Sequence, residues 1–375
     1  MGSTFLEKGL RLFLKRQAAK RTIRPFDLSS LGGINRILLM TTTAIGDTLF
    51  STPAIRAVKE SYPDKEVHVL GHVRSHLLLQ ENPYLDRLLL YRGKRKGIIE
   101  LIRELREQRY DLVVILHGND PEAVPLAWAT QAPYIIGPGT SRFAEFLSNK
   151  VYCYDDNRHA IERRLDFVRV IGADTANKKM DLFLPAQGEE KADRILGTKW
   201  KDNFQPLIGL HPTGSGSYKW WPADYFAGLA EELVKRVQAR FIIFSTRKEA
   251  AVSRSIAKNL GDNVLPAQGE YDLLEVAALM KKCRLIIAND SGPLHMALAL
   301  GVPTLALIGA DSPLRIGPYQ VPNSTSLYRK EEVCRESRCL NQACRDNRCM
   351  KAISPEEALA VIEERFKPEL LKGSD

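Results

Sequence analysis

Three short stretches carry residue types that could do chemistry together. The first is Asn289-Asp290-Ser291-Gly292, followed at once by Pro293. A polar turn running into Gly and Pro marks a helix start. The free N–H groups and positive dipole end of such a start suit a phosphate. Gly292 lets the backbone approach a ligand closely. Asp290 repels phosphate, so its carboxylate is expected on N–H groups of the turn or on sugar hydroxyls. Taken alone, the stretch reads as an ordinary capped turn.

The second stretch is HPTGSGSYKWWP, residues 211–222. Thr213, Ser215 and Ser217 offer hydroxyls, the glycines offer exposed N–H groups, and Lys219 adds a positive charge. That set could clamp a diphosphate without a metal. A plain surface loop is the alternative, and the tandem Trp220-Trp221 argues against it, because large aromatics are seldom left exposed. No Walker pattern and no GxGxxG after a strand occurs, which disfavours nucleotide hydrolysis and dinucleotide redox chemistry.

The third stretch is TTTAIGDTLFSTPA, residues 41–54. Asp47 falls at the expected start of a helix. Its common fate there is to complement the helix dipole. Its chemical use would be as general base, taking the proton of a hydroxyl that attacks an anomeric carbon.

Regular elements must position these residues. Buried-strand runs appear at 35–40 (NRILLM), 66–70 (EVHVL), 87–91 (RLLLY) and 111–116 (DLVVIL), separated by helical spacing through 55–59 and over 98–108. A helix is expected over 159–171. A second series begins at 207–211 (LIGLH) and continues with helix 222–237, strand 240–244 and helices 247–259 and 272–282. Strand 285–288, helix 293–300, strand 304–308 and a last helix over 355–366 complete it. Alternating strands and helices predict an α/β protein with parallel sheets. The expected division is an extension at 1–33, a Rossmann-like domain at 34–185 and a polar linker at 186–205. A second such domain at 206–352 and a C-terminal helix and tail at 353–375 follow. Two doubly wound domains facing a cleft would each offer strand C-termini to a ligand.

The 375 residues carry a net charge of +9, and residues 1–25 hold seven Lys or Arg against one Glu. The body is close to neutral, unlike a protein with a basic nucleic-acid-binding face, so no nucleic acid is expected as partner. Phe5, Leu6, Gly9, Leu10, Phe13 and Leu14 share one side of a helical wheel. That helix either lies on an anionic membrane surface or packs on its own domain. No apolar run reaches the length of a membrane span, and Lys8, Arg11, Lys15 and Arg16 interrupt any signal-peptide core. A cytoplasmic protein is expected.

Taken in order, ILLMTTTAIGDTLFSTPAIRAVKESYP, HPTGSGSYKWWPADYFAGLAEEL, IANDSGPLHMALALGVPTLALIG and CMKAISPEEAL resemble glycosyltransferase family 9, the lipopolysaccharide heptosyltransferases. The resemblance runs from about residue 35 to 366. It implies a GT-B fold and an inverting transfer, with a nucleotide-sugar donor, typically ADP-heptose, on the C-terminal domain. The implied acceptor is an anionic inner-core glycolipid on the N-terminal domain. It places the base on Asp47, the phosphate-binding lysine on Lys219 and the donor turn on Asp290, Ser291 and Gly292; the loop hydroxyls of Thr213 and Ser215 are added as donor contacts on their residue types alone. A ribose-binding acid falls on Glu249, although Ser245 and Thr246 stand where the family has glycines. Arg74, Arg142, His159 and Arg163 are candidates for the anionic acceptor. A monomer at the inner face of the inner membrane, with no obligatory cofactor, completes the expectation. The same architecture could instead serve a sugar-nucleotide epimerase, or a carbohydrate-binding relative without catalysis.

Cys334, Cys339, Cys344 and Cys349 recur at five-residue intervals. Four thiols are enough for a structural metal or cluster, but the paired C-x2-C spacing usual for zinc is missing. Structural thiols or labile disulfides in a loop are the main expectation. Cys153 and Cys283 stand apart and are expected to be buried.

Overall fold

The computed structural model describes residues 3–21, 23–93, 97–118, 120–201, 205–334, 339, 344 and 346–371. It separates into two units, Met1–Asp181 and Leu182–Asp375.

The first unit opens with helix α1 (Ser3–Ala18). Strands β1 (Arg36–Thr41), β2 (Glu66–His72), β3 (Arg87–Tyr91), β4 (Leu112–Ile115), β5 (Tyr134–Pro138) and β6 (Asn149–Val151) follow in sequence. Between and after them come α2 (Ile45–Ser61), α3 (Ile98–Glu107), α4 (Ala123–Ala129) and α5 (Ala160–Arg169). The strands form one parallel sheet in the order β3-β2-β1-β4-β5-β6. Its central strands are continuous buried runs, as a sheet covered on both faces demands. The order reverses between β1 and β4, and ligands in such sheets bind beyond the strand C-termini at that switch point.

The second unit repeats the plan. It contains α6 (Ala186–Lys199), β7 (Leu207–His211), α7 (Ala223–Val237), β8 (Arg240–Ser245), α8 (Ala250–Ala257), β9 (Val264–Gln268) and α9 (Leu273–Lys281). Then come β10 (Leu285–Asn289), α10 (Gly292–Ala299), β11 (Thr304–Ile308), α11 (Pro313–Ile316) and β12 (Ser324–Tyr328). Short helices α12 (Lys330–Val333) and α13 (Arg348–Lys351) precede α14 (Pro355–Val361). A π-helical turn joins α14 to α15 (Lys367–Leu371). The sheet runs β12-β11-β10-β7-β8-β9, all parallel, with its switch point between β7 and β10.

One expectation changes, and a second is met in one of its two forms. The segment expected as a linker is a 14-residue helix, α6, inside the second unit. Ala192 and Leu196 alone are buried along it, so its sequence shows little apolar period. Lys191–Glu275, Glu189–Lys281 and Asp193–Lys282 ion pairs hold it to α9 and to the residue that follows. The amphipathic helix α1 packs on its own unit: Leu14 is buried in the core, with Leu10 and Phe13 half-buried against it. Arg11 lies over the Phe143 ring, and Glu7 pairs with Arg142. Its outward face carries Lys8, Lys15 and Arg16 around an exposed Leu12.

Candidate functional site

In the second unit, β7 and β10 pair in parallel with Ala288 opposite His211, so the segments that follow them emerge side by side. Asn289, fully buried, joins the two. Its Oδ1 accepts from the Trp221 amide at 3.1 Å and its Nδ2 donates to the Pro212 carbonyl at 2.7 Å. Trp221 is buried and donates through Nε1 to the Ile353 carbonyl, while Trp220 closes the loop onto the Gly214 carbonyl. A Cβ at Gly214 would stand 3.4 Å from the Asp290 carbonyl oxygen, so loop and turn are in contact. The tandem tryptophans thus anchor the loop.

Lys219 Nζ donates to Asp290 Oδ2 at 2.5 Å, with both side chains largely buried. Burial alone would lower the lysine; Asp290 more than offsets it, and the Lys219 pKa is raised. Asp290 is therefore the lysine's counter-ion, a partner its sequence context did not suggest. Ser291 donates back to the Asn289 carbonyl at 3.0 Å, and among the described residues no side chain caps the first amides of α10. Those amides stay available to an anion. Thr213 is fully buried and its Oγ1 has no partner among the described residues. Thr213, Lys219, Asp290, Ser291 and Gly292 are therefore brought to one switch point, while Ser215 is exposed on the same loop. Glu249 is spent locally: its Oε2 accepts from the Thr246 amide and hydroxyl at 2.8 and 2.6 Å.

In the first unit, Asp47 sits in the first turn of α2. Packing of α2 on α5 brings Arg164 Nη2 to 2.5 Å from Asp47 Oδ1. His117 follows β4, next to β1 across the switch point. Its Nε2 accepts the Thr42 amide at 2.9 Å, which leaves the ring proton on Nδ1. Burial, against the pull of Asp47, lowers His117 to about 4, so the ring is neutral at ordinary pH. The Thr42 hydroxyl donates to Asp120 Oδ2 at 2.5 Å, and burial pushes Asp120 up.

The four acceptor candidates have contacts of their own. Arg142 pairs with Glu7 of α1, and Arg74 is exposed beside His72. Arg163 donates to the carbonyls of Asp155, Asp156 and Arg158, and His159 Nδ1 caps α5 through the Ile161 amide. The partner of Asp47 is Arg164, one residue from a candidate and about 100° around the helix. Sequence reasoning missed His117, Asp120 and Arg164. His117 closes the apolar run of β4, so the strand-end rule that found Asp47 applied to it too.

Cys334 ends α12 and Cys349 is buried in α13, which packs on α12. Among the described residues no three His, Cys, Asp or Glu side chains are arranged to hold a metal ion. Cys283 is buried as expected, whereas Cys153 is partly exposed.

The family model for glycosyltransferase family 9 (heptosyltransferase) matches residues 98–345. The lipopolysaccharide core heptosyltransferase OpsX of Haemophilus influenzae is 23% identical over 301 residues, 78% of this chain and 85% of the relative. A family 9 glycosyltransferase from Veillonella parvula superposes with a TM-score of 0.77 at 22% identity, over 88% of this chain and 97% of that one. The ADP-heptose lipopolysaccharide heptosyltransferase II of E. coli gives 0.71 at 20%, over 89% and 99%. The fold is shared with these proteins.

Proposed function

The chain belongs to glycosyltransferase family 9, and on that premise we propose that it moves a heptose from an ADP-linked donor to an inner-core lipopolysaccharide or related glycolipid, with inversion. The family relatives are named for heptose transfer, and one solved relative for ADP-heptose itself. In this reading the second unit holds the donor. Lys219 and the uncapped amides of α10 take the diphosphate, and the Thr213 hydroxyl adds a donor. The first unit supplies the base. Asp47 takes the proton of the acceptor hydroxyl as its oxygen bonds to the anomeric carbon. The bond from that carbon to the diphosphate breaks, and ADP leaves with the electron pair. Arg164 keeps the Asp47 carboxylate in place.

The observation that carries the reading is the buried Lys219–Asp290 pair at the uncapped start of α10. It is a charged, anion-ready site at the switch point of its sheet. Among the described residues no helix is long and apolar enough to cross a membrane. The outward Lys8, Lys15 and Arg16 of α1, around Leu12, support a peripheral position on an anionic inner-membrane face.

The test is incubation with ADP-heptose and a deacylated inner-core acceptor, followed by ADP release and product mass. Gain of one heptose by the acceptor is expected. A donor rearranged without transfer would establish an epimerase instead, and absence of any nucleotide-sugar affinity would leave a non-catalytic binder.

A further inference from the structure

Three groups of the first unit meet around the acceptor side of the reading above, and two of them have donors to spare. Arg164 gives Nη2 to Asp47, while its buried Nε has no partner among the described residues. His117 gives Nε2 to the Thr42 amide, while its buried Nδ1–H likewise has none. His117 is 2% exposed. Its bond to the Thr42 amide seats it between the end of β1 and the start of α2, whose first turn carries Asp47, and among the described residues it is hydrogen-bonded to neither Asp47 nor Arg164. A buried donor without a partner costs roughly 1–3 kcal/mol, so folds seldom keep one without use.

We propose that His117 Nδ1–H binds a hydroxyl oxygen of the acceptor sugar, the one neighbouring the hydroxyl that Asp47 deprotonates. The assignment rests on Asp47 being the base. Charge balance favours a neutral group: Asp47 and Arg164 cancel and the imidazole is uncharged, so nothing here calls for a further anion. The tautomer favours an oxygen acceptor. The Thr42 amide cannot exchange its role, so Nε2 always accepts and Nδ1 always donates. The reacting hydroxyl is a poor partner for that donor, since its lone pair must attack carbon. A vicinal diol satisfies both groups, with one hydroxyl donating to Asp47 and its neighbour accepting from His117. His117 would thereby set acceptor specificity, because a site built to bond a hydroxyl discriminates strongly against its absence.

Two replacements separate this role from a structural one. A Gln amide reaches the position of Nε2 and keeps the Thr42 contact, whereas an Asn amide reaches the position of Nδ1 and keeps the donor. His117→Gln is expected to retain the thermal stability of the wild type at pH 8 and to raise the acceptor KM roughly tenfold. His117→Asn is expected to melt earlier but to hold its acceptor KM within about threefold of the wild type. The donor KM stays put in both. An acceptor lacking the hydroxyl next to the reacting one, with the reacting position read from the product by NMR, should show the same KM in wild type and His117→Gln. The opposite ranking, with Gln wild-type in acceptor KM and Asn impaired, would overturn the proposal and leave transferase activity standing. If the wild type itself transfers nothing from ADP-heptose, the functional reading falls and this assignment with it.

Discussion

Lys219 Nζ and Asp290 Oδ2 stand 2.5 Å apart, so the cation suited to a diphosphate already has a buried carboxylate on it. Binding therefore adds a second anion to an existing pair. Removing one partner strands the other, which costs about 3–5 kcal/mol for a buried pair. Lys219→Met should destabilise the protein by about that range, and Lys219→Met with Asp290→Asn should recover most of it. Both variants should bind ADP at least about tenfold more weakly in calorimetric titration, since the cation is absent in each. Recovery of ADP affinity together with stability would show that the lysine is structural only.

Asp47 likewise has a cationic partner, Arg164, in the first unit. Asp47→Asn keeps the shape of the side chain and removes the base. Turnover should fall by roughly two to four orders of magnitude, the usual worth of general-base catalysis, with ADP affinity unchanged. Near-normal turnover by this variant would sink the base assignment and turn attention to Asp120, whose burial pushes its pKa up and whose carboxylate meets the Thr42 hydroxyl.

The positions of Asp47, Lys219 and Asp290 were legible because each follows an apolar strand run, and strand ends are where doubly wound sheets bind ligands. Of the buried strands, β1, β7 and β10 were legible, while β5, which ends in Gly137-Pro138, was not. β9 was not, since Pro266 interrupts it, and neither was β12, whose Ser324, Thr325 and Ser326 give a polar edge. α6 escaped because ion pairs rather than an apolar stripe hold it down. Arg164 escaped for a different reason: its partner lies more than a hundred residues away, and only the packing of α5 on α2 brings them together.

Trp221 couples the 211–222 loop to the segment between α13 and α14. It is 1% exposed, meets Phe226 edge-on at 4.8 Å between ring centroids, and donates to the Ile353 carbonyl at 2.8 Å. Trp221→Phe should cost about 1–3 kcal/mol through the stranded carbonyl and lost volume. Trp221→Ala should cost about 3–5 kcal/mol. Denaturant unfolding measures both. Ala keeps the backbone amide that holds Asn289 but loses the ring that seats that amide, so the Ala variant should weaken ADP binding at temperatures where it is still folded.

The outward face of α1 predicts a salt-dependent affinity for anionic surfaces. Each exposed Lys or Arg near such a surface is worth about 1 kcal/mol, and Lys8, Lys15 and Arg16 lie together on that face. Replacing all three by Glu should abolish co-sedimentation with phosphatidylglycerol vesicles and leave transfer to a deacylated acceptor intact. Binding of the wild type to phosphatidylcholine alone should be weak. Vesicle binding unchanged by the triple replacement would place the contact elsewhere.

His117 gives the protein a pH signature with a definite sign. Burial lowers the imidazole from 6.5 to about 4, so between those values the unfolded chain holds a proton that the native one does not. Stability then rises with pH across that window and levels off above it. At the acid end the loss reaches on the order of 3 kcal/mol. Gln at this position cannot be protonated, so His117→Gln should flatten the melting temperature between pH 4 and 6.5 relative to the wild type. Above about pH 7 the two should run parallel, because the ring is neutral in both folded and unfolded states there. If the two proteins lose stability equally on acidification, the imidazole is not the buried neutral donor that its contact with the Thr42 amide requires.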